Sequence, residues 1–328
     1  MLSTMDLVAS RSGVARWLVP IGALAALLPW VSPVVALLGG IAVALSVDNP
    51  WPSRTRALAQ RTLAWSVIGL GAGMNLAVVG RVGIQGLGYT AIGIGSALLL
   101  GTLLGRRLGV SRDSSLLVTV GTAICGGSAI AAVAPAIRAK EDDVSIALVT
   151  VFVLNAVALV VFPFVGHRFH LGQDAFGLWC ALAIHDTSSV VGAASQYGER
   201  ALEVATAAKL ARALWIVPVS FGVAMLRART VADPASGARP SPKRPWFIAG
   251  FLASAALVTF VPALAPAGRM VAFAAHRLLA ATLFLVGLGL TRPALRRLGV
   301  RPLLQGVALW LTLATATLAA IVMGLVPT

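Results

Sequence analysis

The chain has 328 residues, of which 58% are hydrophobic and only 11% charged, and it carries a formal net charge of +15. That apolar fraction excludes an ordinary soluble domain and identifies an all-α polytopic membrane protein. The basic residues are scattered between apolar runs with no aromatic-interleaved basic domain, so nucleic acid is excluded as a partner and the charge reads as a topology signal.

Apolar runs and breakers give eleven candidate helices in chain order: 17–29, 33–47, 57–80, 84–105, 114–138, 144–165, 175–195, 201–227, 245–262, 270–291 and 302–326. Most reach the ~30 Å of a hydrocarbon core, whereas the first two are short and could form a hairpin. A signal-peptide reading of the first run finds no clean cleavage site, because Pro29-Trp-Val-Ser-Pro33 follows it. Residues 228–245, rich in Pro, Ala, Ser and Arg, read as a cytoplasmic linker loop inside one membrane domain spanning 1–328.

With the N-terminus placed inside, eighteen Lys and Arg residues fall in inner loops. Five fall outside: Arg81, Arg138, Lys140, Arg200 and Arg269. This asymmetry predicts eleven spans, a cytoplasmic N-terminus and a periplasmic C-terminus. Lys209, Arg212 and Arg277 lie within helices; Arg277 is near a helix end and is expected to snorkel.

Gly71-Ala-Gly-Met-Asn75 aligns without gaps, 216 residues on, with Gly287-Leu-Gly-Leu-Thr291. In the eleven-span topology the two copies end helices of opposite direction, which predicts inverted repeats of the kind found in secondary transporters. Recurrence of Gly-x-Gly in tightly packed helices is the plainer alternative.

Two polar interruptions mark the candidate site. Thr122-Ala-Ile-Cys-Gly-Gly-Ser128 and His185-Asp-Thr-Ser-Ser189 sit at the midpoints of the segments 114–138 and 175–195, and so at equal depth near the bilayer centre. Polar groups survive there only against protein, cavity or ligand. Gly126 and Gly127 favour an unwound helix, with Thr122, Cys125 and Ser128 beside them; a small-residue helix interface would need the same composition. Asp186 at mid-depth requires a partner, and with His185 it forms a candidate proton-coupling pair, against the alternative of a structural ion pair. Lys209 and Arg212 share one helix face at that depth and make the pocket cationic, which favours an anionic solute. Asn75, Thr187, Ser188 and Ser189 complete the predicted substrate-binding set, and Asn155 is expected to act as an interhelical hydrogen-bond donor rather than a ligand contact. Cys125 and Cys180 both lie in apolar runs and read as packing residues.

The stretches 121–137, 183–194 and Ala208-Lys-Leu-Ala-Arg-Ala-Leu-Trp215 resemble the YeiH-like sulfate exporter family of bacterial inner-membrane proteins, and the resemblance runs from about Leu37 to the C-terminus. It implies export of sulfate, a sulfonate or a related anion. Some members have an acidic residue where this chain has Ala134, and others have Glu and Gln after the histidine in place of Asp-Thr-Ser-Ser, so ion coupling through Asp186 and a different substrate are both open.

The sequence therefore predicts a proton-coupled secondary transporter of a small anion, with broken helices at the midplane and no enzymatic activity, metal or cofactor. An anion channel is the nearest alternative. Gly126-Gly-Ser128 with a distant His185 superficially matches a serine-type intramembrane enzyme, but Gly-x-Ser is a weak signal in a glycine-rich chain. Nucleotide and zinc motifs are absent from the sequence. The expected surroundings are the bilayer and the anionic solute, with homo-oligomerisation left open.

Overall fold

A computed structural model describes residues 4–47, 49–230 and 246–326. The described residues are helical: α1 (Thr4–Ala25), α2 (Pro33–Val47), α3 (Pro52–Gly71), α4 (Leu76–Arg107), α5 (Arg112–Ala123), α6 (Gly127–Ile137), α7 (Glu141–Arg168), α8 (Gln173–Ala183), α9 (Thr187–Tyr197), α10 (Glu199–Ala213), α11 (Ile216–Thr230), α12 (Trp246–Phe260), α13 (Ala265–Gly287), α14 (Arg292–Arg296) and α15 (Val300–Val322). Residues 231–245, most of the expected 228–245 linker, lie outside the described residues. Among the described residues, five helical runs are long and apolar enough to cross a membrane: Gly88–Arg107, Glu141–Arg168, Glu199–Leu226, Pro262–Gly287 and Val300–Val322. Shorter apolar helices accompany them. On α7 the exposed side chains Val157, Val160, Val161 and Phe164 make an apolar stripe suited to hydrocarbon.

The chain forms two compact units, one from Met1–Val78 with Trp246–Arg296 and one from Val79–Pro245 with Arg297–Thr328. In the first, α3 and α13 run antiparallel. Thr282 donates to Thr62 at 2.8 Å, a methyl built on Gly69 would lie 2.7 Å from the Ala275 Cβ, and one on Gly73 would lie 2.8 Å from the Ala272 Cβ, so rising numbers on one helix meet falling numbers on the other. The aligned glycine segments end these helices in the same way. Both Ala72 and Leu288 close the helix in the right-handed region, and the next helices begin at Leu76 and Arg292, again 216 residues apart. The repeat is thus inverted in geometry as well as matched in sequence. α2 packs on α13 at Gly40 and Gly287, where a side chain on either glycine would strike backbone of the other helix (Phe284 O and Leu37 O), the small-residue contact expected between helices in lipid. The Arg277 guanidinium donates to Leu28 O at 2.8 Å and Val31 O at 3.1 Å, satisfying carbonyls that follow the end of α1.

In the second unit the structure departs from the expected topology. The sequence takes 114–138 and 175–195 across the bilayer, but each folds back on itself. Ser111 Oγ donates to Asp143 Oδ1 at 2.7 Å, and Ser114 Oγ donates to the same oxygen, so the start of α5 and the start of α7 lie on one side. A straight 112–137 helix would separate them by roughly 40 Å. Likewise Tyr197 donates to Leu171 O at 2.7 Å, the Arg200 N–H donates to Gln173 Oε1 at 3.0 Å, and Arg200 pairs with Asp174 at 2.7 Å, joining the start of α8 to the end of α9. α5–α6 and α8–α9 are therefore helical hairpins. Each first limb lies parallel to the helix that follows the hairpin: α5 with α7 (Ser114 at Asp143, Gly121 at Val151) and α8 with α10 (Gly177 at Ala201, Ala181 at Lys209). Because α7 runs from the base of the first hairpin to the base of the second, the hairpins enter from opposite sides.

Folding back also moves charges. Arg138 and Lys140 join Arg106, Arg107 and Arg112 at the first base, and Arg168 joins Arg200 at the second. Hydropathy does not distinguish a hairpin from a crossing, because both bury the same apolar residues; the polar fastenings at the bases decide it.

Candidate functional site

The hairpin limbs α5 and α8 have 12 and 11 residues, a rise of roughly 17 Å, so each tip reaches about the middle of a 30 Å hydrocarbon layer. The chain turns at Ile124-Cys125-Gly126 and at Ile184-His185-Asp186. Gly126 makes the first turn possible: its φ of 66° lies in the left-handed region, and a Cβ there would lie 3.2 Å from Val151 Cγ1. The same position is 3.5 Å from Asp186 Cα, so the two tips touch.

At that junction two helices end and two begin. The final carbonyls of α5 and α8 have no intrahelical partners and no water in a bilayer core. α10 supplies them. Lys209 Nζ donates to Ile184 O at 2.6 Å, Ile124 O at 3.1 Å and Ala181 O at 3.3 Å. Arg212 Nε donates to Ala123 O at 2.9 Å, Nη2 to the same oxygen, and Nη1 to Leu182 O. Both side chains are buried, and their charges sit at the negative ends of two helix dipoles. The sequence predicts Lys209 and Arg212 as ligands of the solute; the structure binds their donors to backbone carbonyls, so their part in the site is to hold the tips and to set the field.

The two helices that begin at the tips differ. Asp186 caps α9, its Oδ2 accepting from Ser188 N at 3.0 Å and from Ser188 Oγ. α6 has no side-chain cap, and its first residues, Gly127 and Ser128, are half-buried and exposed. The positive end of α6 thus opens beside a half-buried carboxylate at mid-depth. Asn155 on α7 steadies the second tip by accepting from Asp186 N at 3.2 Å, so it bridges elements as an acceptor and not as the donor expected, and among the described residues its buried Nδ2 has no partner.

The family model for Conserved hypothetical protein 698 matches residues 14–306, which include both hairpins and α10. The chain belongs to this family. Among its relatives, a UPF0324 membrane protein of Bdellovibrio bacteriovorus is 55% identical over 315 residues, covering 96% of each chain. One from Geobacter sulfurreducens is 45% identical over 293 residues, covering 89% of this chain and 92% of its own. A third, from Porphyromonas gingivalis, is 46% identical over 297 residues, covering 90% and 88%. The YeiH-like resemblance fits this family, and these relatives are named as membrane proteins. No solved structure matches the chain.

The other predicted residues of this UPF0324 chain take varied places. Thr122, Cys125, Thr187, Ser188 and Ser189 are buried around the tips. The Oγ of Thr122 has no partner. His185 is fully buried next to Asp186, with both ring nitrogens unpartnered and its ring 6.4 Å from that of Trp310. Asn75 belongs to the first unit, where its side chain accepts from Ala77 N at 2.8 Å at the start of α4. Both cysteines are free and buried.

Three features of the site escaped the sequence reading. The bases fastened by Ser111, Asp143, Gln173 and Arg200 carry no motif. The carbonyl-binding role of Lys209 and Arg212 depends on where the chain turns. The third left a signal: Ala123-Ile124 and Ser128 recur as Ala183-Ile184 and Ser188, each 60 residues on, which marks the hairpins as a second inverted repeat.

Proposed function

We propose that the protein is a secondary transporter of a small anion, such as sulfate or a sulfonate, which binds at the open N-terminus of α6 where the two hairpin tips meet. One observation carries this: an uncapped helix start with an exposed Ser128, at the depth of the hydrocarbon core, adjoining a second broken helix. Exposed polar backbone is tolerated at that depth only where it lines a cavity, and half-helix N-termini favour negative charge. Lys209 and Arg212 against Asp186 leave one positive charge in excess at the junction, which adds to the same preference.

Asp186 supplies the coupling. Its carboxylate and an anion at Gly127–Ser128 would repel across a few ångströms, and a proton on Asp186 removes that repulsion. Anion and proton therefore bind together and cross together, in the direction set by their gradients. The field at the junction acts on the solute, and the opposed hairpins give it two sides from which to be reached, which favours alternating access over a fixed channel. A serine-type enzyme is disfavoured because the nitrogens of His185 are buried without a partner and so activate no hydroxyl. The protein is not an enzyme in this account.

The lysine- and arginine-rich base of the first hairpin faces the cytoplasm by the positive-inside rule, in a bacterial inner membrane, with the N-terminus inside and the C-terminus in the periplasm. The test is thermal stabilisation of the purified protein by sulfate, sulfite, thiosulfate, sulfonates and small carboxylates. At least one anion should raise its stability, and none should do so if the protein has no anion site.

A further inference from the structure

α3 presents a stripe of residues that no transport role uses. Arg54, Leu58, Arg61 and Trp65 are spaced by four, three and four residues, so they lie on one face of the helix, and all four are exposed. Arg54, Ala57, Leu58 and Arg61 line a groove of about 320 Å³. One turn beyond Arg61 the Trp65 ring meets that of Trp246 edge-on, with centroids 5.7 Å apart, and Trp246 is itself exposed.

Arg54 sits in the first turn of α3, and Arg61 lies about 10 Å further along the axis. An exposed guanidinium without a counter-charge, on a helix of a membrane protein, gains from an anionic group brought to the same face. Among the described residues neither Arg54 nor Arg61 has an ion-pair or hydrogen-bond partner for its side chain. Leu58 lies between the two arginines, and beyond Arg61 the Trp65–Trp246 pair offers aromatic surface. Two cations followed by aromatic surface, on one stripe, match a molecule with an anionic head and a hydrocarbon tail.

We propose that this face of α3 binds one anionic glycerophospholipid, its phosphate held over Leu58 between Arg54 and Arg61 and an acyl chain running past Arg61 to the Trp65–Trp246 pair. A zwitterionic lipid brings its own cation to the head and leaves the two guanidinium groups uncompensated, so the site prefers net negative lipid. The proposal is independent of the anion site at the hairpin tips.

The full chain, purified in detergent, is titrated with phosphatidylglycerol or phosphatidylcholine and its bound lipids are counted by native mass spectrometry. Wild type should retain one phosphatidylglycerol in preference to phosphatidylcholine. R54Q/R61Q should lose that retention by about tenfold or more, while R296Q/R297Q, the same charge change on another segment, should keep it. Equal retention of the two lipids, undiminished retention in R54Q/R61Q, or the same loss in R296Q/R297Q would each overturn the proposal. So would a lipid-free dimer that R54Q/R61Q dissociates, since a second copy would then cover this face. Circular dichroism and thermal melting of R54Q/R61Q confirm that the compared protein is folded.

Discussion

Gly126 and Asp186 lie against each other at the tips of two hairpins that enter from opposite sides, with 3.5 Å between a Cβ position on the glycine and the aspartate Cα. One tip thus offers an uncapped helix start and the other a carboxylate. Under the proposed function, binding of an anion and of a proton at this contact would be linked, and the proposal can be tested through the residues that hold the contact.

The hairpin topology places residues near Arg107 and Lys140 on one side and residues near Arg168 and Glu199 on the other. Single cysteines at Arg107 and Lys140 should react with an impermeant thiol reagent only from the cytoplasm, and those at Arg168 and Glu199 only from the periplasm. Opposite sidedness for Arg107 and Lys140 would restore a crossing helix at 112–137 and remove the hairpin.

Lys209→Met keeps the length of the side chain but withdraws the donor from Ile124 O, Ala181 O and Ile184 O. Each buried carbonyl left unsatisfied costs about 1–3 kcal/mol. A clear drop in melting temperature is expected, together with loss of ligand stabilisation. Arg212→Lys should fall between Lys209→Met and wild type, because it keeps the charge and loses the fork that reaches Ala123 and Leu182. A Lys209→Met protein as stable as wild type would show that the tips do not depend on α10.

Gly126→Ala imposes a side chain on a left-handed residue and sets its methyl 3.2 Å from Val151 Cγ1. The backbone penalty alone is about 1–2 kcal/mol. The variant should be less stable and transport more slowly, whereas Gly80→Ala, with nothing within 4 Å of the added carbon, should behave as wild type. Melting curves and uptake rates of the two variants check this.

Asp186→Asn retains an oxygen to cap α9 at Ser188 N but carries no charge. In wild type, anion affinity should fall as pH rises and the carboxylate ionises. In Asp186→Asn the affinity should stay at the low-pH value across the range, and an imposed pH gradient should no longer drive accumulation. Calorimetric titration at several pH values measures the first effect and vesicle uptake the second. An unchanged pH profile in the variant would make Asp186 a structural cap only.

Much of this protein is legible in its sequence. Helices form where the apolar segments predict them, because burial in lipid requires apolar helix and polar breaks end it, although 114–138 and 175–195 each divide into two limbs and the break expected between 80 and 84 falls at 72–75. The interruptions at 124–126 and 184–186 fall at the breaks for the same reason, and the Gly71 and Gly287 segments reveal an inverted pair before any coordinates. The direction of the chain after each break is not legible. Gly126 permits either a kink or a reversal, and the reversal is fixed by contacts of Ser111 with Asp143 and of Leu171 with Tyr197, which are distant in sequence. For the same reason Lys209 and Arg212 read as free charges: their carbonyl partners come from two turns whose meeting is a tertiary fact.

Counterflow in proteoliposomes tests the transport account most directly. Vesicles preloaded with an unlabelled anion that stabilises the purified protein, and diluted into the labelled form, should accumulate label transiently and saturably. Ser128→Trp, a substitution at an exposed residue that leaves the tips' hydrogen bonds in place but fills the mouth of α6, should remove that accumulation while the protein stays folded. Absence of counterflow with every stabilising anion, or counterflow undiminished in Ser128→Trp, would contradict an anion-transport site at the meeting of the two hairpins.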